Sequence, residues 1–203
     1  ISPRLYNFII GLTLCWGFAV NAWMVNNISV HAIYDIGPVF FLLGYFGSCF
    51  LGIYIFSNSD TPLVSFIGYN FVVLPVGLVV NIVVAQYDPY VVSEAIQVTG
   101  IVTAIMMVLG TVYPKFFDNI IVSIGIAWIF VFVVELIQIL FFGGSMAWVD
   151  WACGLIFCGY IGYDWARACR IPKTVDNAID SAAALYIDII ALFIRILRIL
   201  GRR

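Results

Sequence analysis

The sequence predicts an all-α membrane protein, a bundle of seven transmembrane helices forming a single transmembrane domain over residues 1–203, with the last helix at its centre. Three observations carry that expectation. Of the 203 residues, 64% are hydrophobic and only 10% are charged, and the mean hydropathy is +1.10. Soluble domains carry about 25% charged residues; so few charges cannot cover a surface in water, and lipid has to take its place. Second, apolar runs of about 20 residues recur along the chain, each long enough to cross a hydrocarbon core ~30 Å thick. Third, the final run holds an aspartate, Asp188, among small residues, which places that helix inside the bundle.

The predicted helices run approximately 6–25, 36–56, 62–85, 90–113, 117–142, 146–168 and 178–200. The first lacks a small-residue cleavage site, so it reads as a membrane helix and not as a secretion signal. It ends at Asn26-Asn27-Ile28-Ser29, the second at Ser57-Asn58-Ser59-Asp60, and the third at Gln86-Tyr87-Asp88-Pro89. Pro114-Lys115 separates the fourth from the fifth, and Gly143-Gly144-Ser145 the fifth from the sixth. Such clusters break helices where the chain reverses, and links this short make neighbours antiparallel. The longest link runs from Arg167 to Asn177.

Seven crossings put Arg4, Lys115, Arg167, Arg170 and Lys173 on the amino-terminal side, the cytoplasmic one by the positive-inside rule. Arg195, Arg198, Arg202 and Arg203 then fall on the other side, unless the last segment returns without crossing. The net charge of −2 leaves no basic face for a nucleic acid. The five cysteines (Cys15, Cys49, Cys153, Cys158, Cys169) have neither disulfide nor zinc spacing, and read as small packing residues.

Ionisable residues inside membrane helices mark the functional candidates. An aspartate at mid-helix costs roughly 2.5–3.5 kcal/mol to insert, so Asp188 needs a partner or water. Ser181, Ala184, Ala191 and Leu192 share its helix face. Asp164, near the end of the sixth helix, lies symmetrically with Asp188 about residue 176, in or beside the turn; both carboxyls therefore reach similar depth. Alone, Asp164 reads as an interfacial acid balanced by Arg167. Two carboxylates in contact cannot both ionise cheaply: at ~3 Å and a dielectric near 20 their repulsion is roughly 5 kcal/mol, about what a two-state gate needs. A shared proton holds the two helices together, and losing it pushes them apart.

Glu135, with Gln138 one turn on, and Glu94, early in the fourth helix, are candidates for a cation path or for bonds to neighbouring helices. Asp60, Asp88, Asp118 and Asp150 sit at helix ends and read as solvated caps. His31 stands alone in a loop, which argues against a metal role. Arg195, two turns beyond Asp188, reads as a side chain snorkelling to the headgroups.

Gly162-Tyr163-Asp164, followed by Leu185-Tyr186-Ile187-Asp188 with Phe193, and the closing Leu197-Arg198-Ile199-Leu200-Gly201, resemble the signature of the transmembrane Bax inhibitor motif family (Bax inhibitor-1, Lifeguard and bacterial relatives). Tyr90-Val91-Val92-Ser93-Glu94-Ala95, with Gly110 later, is similar to the fourth helix of bacterial members. The resemblance implies seven helices around a central last one. It also implies a pH-sensitive calcium leak gated by protonation of Asp164 and Asp188, with Tyr163, Tyr186 and Arg198 supporting them. Calcium, as the transported ion, would then pass near the two aspartates, and no cofactor is expected. In one respect the sequence departs from the pattern: bacterial members can carry an arginine near the end of the second helix that latches the pair, and Tyr54–Asp60 here holds no basic residue.

The alternatives are a proton/cation exchanger of the same fold, or a membrane scaffold that regulates cell death or stress responses through partner binding. No enzyme activity is expected. An intramembrane aspartyl protease needs Gly-x-Gly-Asp at its second acid, where this chain has Leu185-Tyr186-Ile187-Asp188. A retinal receptor needs a lysine in the last helix, and the only lysines are Lys115 and Lys173. The expected partners are the lipid bilayer, calcium and protons. The expected location is a bacterial plasma membrane, or an intracellular membrane such as the endoplasmic reticulum in a eukaryotic host.

Overall fold

The computed structural model describes residues 1–142 and 146–202. The expected Gly143-Gly144-Ser145 link and Arg203 lie outside the described residues. The described elements are all helical: α1 Pro3–Asn27, α2 Val30–Tyr34, α3 Pro38–Ser57, α4 Pro62–Val84, α5 Pro89–Val112, α6 Pro114–Phe142, α7 Ala147–Arg170 and α8 Val175–Leu200. The short α2 is an addition to the expected seven, and it takes up His31, expected in a loop.

Five of the helices begin on proline: Pro3, Pro38, Pro62, Pro89 and Pro114. Pro89 and Pro114, expected in the links, are in fact first helical residues. The reason is local. Proline's missing N–H is no loss at a helix start, and its fixed φ already suits the helix. Ser2 accepts from the Leu5 N–H, and Asp88 from the Tyr90 N–H at 2.7 Å, so these side chains cap α1 and α5. Gly37, at φ +82°, supplies the left-handed turn between α2 and α3.

Helices α1, α3, α4, α5 and α6 (the last through Gln138) are long and apolar enough to cross a membrane. Helices α7 and α8, at 24 and 26 residues, also exceed the length needed but carry more charge. The exposure pattern is that of a lipid-facing surface. In α3 only Gly52 and Phe56 are buried, while Phe40, Leu43, Phe46 and Phe50 are exposed. Helix α8 is the opposite: no residue from Val175 to Leu200 is exposed.

The chain divides into two compact units, Ile1–Tyr87 with Ile171–Tyr186, and Asp88–Arg170 with Ile187–Arg203. In the first, α4 packs against α1 and α3. A Cβ on Gly52 would fall 2.5 Å from the Gly68 carbonyl oxygen, so these two glycines set how closely α3 and α4 approach. Tyr69 and Tyr186 stack edge-on at 5.5 Å in its core. Ser65 donates to the buried Asp176 at 2.7 Å, joining α4 to the start of α8. In the second unit, α7 packs against α5 and α6. Val131, Val149, Cys153 and Ile156 form a buried cluster between α6 and α7. Near the other end of α7, Gly162 meets the Phe117 ring of α6, and its carbonyl oxygen lies where a Cβ on Gly110 of α5 would be.

Candidate functional site

The second unit places two acidic clusters along the seam between α7 and α8. The first holds Asp164 of α7 and Asp188 of α8. Their carboxyl groups lie close enough to interact directly with each other. Asp188 is 7% exposed, and its Oδ2 meets no N–H or O–H donor among the described residues. No lysine or arginine is ion-paired with either acid among the described residues. Arg167, one turn beyond Asp164 and exposed, acts on it through its field alone. Tyr160, one turn before Asp164, lies within the field of both acids. A hydrogen bond between two carboxyls needs a proton from one of them.

Local sequence explains the approach. Gly162, two residues before Asp164, lets α7 settle against Phe117 where a Cβ would stand 2.1 Å from the ring. Gly154 leaves ordinary contact distance, 4.0 Å, to the Leu192 side chain of α8. Two antiparallel helices that touch over small residues bring their polar side chains together at matched heights.

The second cluster lies nearer the start of α7. Arg195 of α8 grips Glu135 of α6 with both guanidinium nitrogens, at 2.7 Å each, and reaches Asp150 of α7 at 3.0 Å. Arg198 adds a contact of 3.1 Å to Glu135 and lies 3.7 Å from Asp150. Arg202 is 2.6 Å from Asp150. Asp150 is fully buried and Glu135 is 8% exposed. Three guanidiniums against two carboxylates leave one net positive charge. Gln138, one turn beyond Glu135, accepts from the Met146 N–H at 3.3 Å, which ties α6 to the approach of α7.

This cluster corrects several expectations. Arg195 does not snorkel to the headgroups, because two buried acids in reach offer stronger partners than water does. Asp150 is not a solvated cap: its side chain is fully buried and ion-paired with arginines. Arg198, expected to support the aspartate pair, faces Glu135 and Asp150 instead. Glu135, a candidate for a cation path, has its carboxylate occupied by two arginines.

A family model described as inhibitor of apoptosis-promoting Bax1 matches residues 3–203. The chain belongs to this family. Two Helicobacter pylori proteins, from strains 26695 and J99, are 30% and 31% identical to it; each match covers 97% of this chain and 84% of the relative. Protein LIFEGUARD 3 of Arabidopsis thaliana is 43% identical over 67 residues, 32% of this chain and 27% of that protein.

The other residues singled out from the family signature are scattered. Tyr186 is fully buried in the first unit, where Asn21 donates to its hydroxyl at 2.6 Å. Tyr163 lies near Arg170, which itself grips Asp118 through both guanidinium nitrogens. Asp118 is thus paired and not merely a solvated cap. Glu94 is half-buried on α5 and has no ion pair among the described residues. At the position of the missing latch, Asn58 donates to the Tyr54 carbonyl at 2.8 Å and Asp60 is exposed. Sequence reading missed Tyr160 and the arginine cluster. The signal for the latter was present: Glu135 sits in an unbroken apolar run and requires a base, and Arg195 and Arg198 stand inside the last predicted helix.

Proposed function

We propose that this protein is a pH-sensitive, calcium-permeable leak in which protonation of Asp164 and Asp188 holds the pathway closed. The single supporting observation is the direct approach of two carboxyls that have no ion-paired base among the described residues. With one proton the pair attracts; with none, two charges at ~3 Å repel by roughly 5 kcal/mol at a dielectric near 20. That energy is enough to move a two-state gate from mostly closed to mostly open. The proton loss belongs to the pair, so its apparent midpoint is a joint property of both acids. Acid favours the closed form and alkali the open one.

In this reading α7 and α8 both cross the membrane, giving seven crossings with α8 at the centre. The absence of any exposed residue on α8 supports that position. Calcium, which takes hard oxygen ligands, is the transported ion and passes by the aspartates. The membrane is a bacterial plasma membrane, which the match to the Helicobacter pylori relatives favours.

The test is calcium entry into proteoliposomes loaded with a calcium dye, followed across pH. Wild-type flux should rise with pH, and Asp188→Asn and Asp164→Asn should each remove that dependence. Unchanged flux and unchanged pH dependence in both variants would sink the reading.

A further inference from the structure

The two clusters share one register. Antiparallel helices that pair position 164 with 188 also pair 150 with 202, since both pairs are centred on residue 176. The structure has both pairs facing each other: Asp164 and Asp188 interact directly, and Asp150 lies 2.6 Å from Arg202. They are separated by fourteen residues on each segment, about 21 Å along α7 at 1.5 Å per residue, with Arg202 two residues past the end of α8. The same seam is thus held at one end by a proton and at the other by arginines.

We infer that Glu135, Asp150, Arg195, Arg198 and Arg202 form a fixed clamp, so that α7 and α8 separate as a hinge, opening at Asp164 and Asp188 while staying closed at the arginine end. The inference rests on the gating reading above. Arginine keeps its proton at every pH in which a carboxyl pair responds, so the cationic side of the clamp does not titrate. The carboxylates of α6 and α7 are bridged by it: Arg195 reaches Glu135 of one helix and Asp150 of the other, and Arg198 reaches both at longer distances. The ionisable groups facing the clamp are Cys153 of α7, Glu135 of α6 and the arginines themselves. Those facing the pair are Tyr160 and Arg167 of α7. The two sets do not overlap, so a change at the pair leaves the ion pairs of the clamp in place. Arg195 is accordingly a positioning residue: it fixes the height at which Asp188 meets Asp164, two turns back on its own helix.

The test is a pair of spin-label distances in full-length protein reconstituted in nanodiscs. Cys169 with Ala191→Cys reports the aspartate end; Leu155→Cys with Ile199→Cys reports the clamp end. Cysteines not used as labels are replaced by serine. Between pH 5 and pH 9 the aspartate-end distance should lengthen and the clamp-end distance should stay in place. Arg195→Lys, which keeps the charge but loses the two-pronged grip, should broaden the clamp-end distribution and shift the pH midpoint of the aspartate-end change. Glu135→Gln should broaden the clamp end in the same way, and serves if the lysine variant folds poorly. Equal lengthening at both ends overturns the hinge and leaves the gate standing. No movement at either end overturns both. A clamp-end distribution unaltered in both variants also overturns the hinge.

Discussion

The two acidic clusters on the α7–α8 seam use the same residue types for opposite ends. At Glu135 and Asp150 the buried carboxylates are matched by Arg195, Arg198 and Arg202. At Asp164 and Asp188 no base is ion-paired among the described residues, and the acids face each other. A carboxylate surrounded by guanidiniums keeps its charge and holds helices together. A carboxylate whose neighbour is another carboxylate is stable only while a proton is shared. The difference lies in the partner supplied, and in the proposed reading the partner makes one cluster a fastener and the other a sensor.

The sharpest way to break this comparison is to remove the sensor. Asp188→Asn should abolish the pH dependence of calcium flux, because the roughly 5 kcal/mol repulsion needs two charges. A pH series on proteoliposomes reads it, and a retained response would leave the contrast without meaning. Removing the fastener comes next. Arg195→Leu leaves Glu135 and Asp150 short of a partner in a buried site, a change that costs about 3–5 kcal/mol. Thermal loss of helical circular dichroism in detergent should show it as a markedly lower Tm. A variant as stable as wild type would mean that Arg198 and Arg202 suffice.

A third variant sharpens the contrast by moving helices without touching charge. Gly162→Ala puts a methyl 2.1 Å from the Phe117 ring, two residues before Asp164. Overpacking of this kind costs about 1–3 kcal/mol, and it should shift the midpoint of the flux–pH curve while leaving the clamp-end label distance unchanged. The smallest effect is expected at Arg170–Asp118, the exposed ion pair of the same unit. Arg170→Ala should scarcely move the Tm, and that small loss should vanish in high salt, since exposed pairs are screened. The Arg195→Leu loss should persist in high salt. Equal salt sensitivity in both would show that the arginine cluster is solvated.

Much of the fold was legible because its signals are one-dimensional. Pro62, Pro89 and Pro114 mark helix starts wherever they fall, and apolar runs between them have the length a bilayer requires. The element bounds shifted by a few residues, mainly because prolines counted as linkers open the helices instead. The short α2 escaped notice, since five residues carry no periodicity to read. The aspartate pair was legible by symmetry: two acids equidistant from one turn must meet if their helices pack. Asp150 was not, because a position near a helix start reads as solvated until the neighbouring helix is known.

The sequence by itself determined that the chain is helical and lipid-facing, and which acids stand in apolar surroundings. Those properties follow from composition and spacing along a single helix. Which base answers which acid was decided only by the tertiary structure. Arg195 and Glu135 are 60 positions apart, and nothing local to either specifies the other. Arg195 and Arg198 on α8, and Arg202 just past its end, were free to reach headgroups, the aspartate pair or the α6 acid. The register between α7 and α8 put them within 3.1 Å of Glu135 and Asp150 and left Asp188 with Asp164. Long, flexible side chains take the strongest buried partner in reach, and reach is a property of packing.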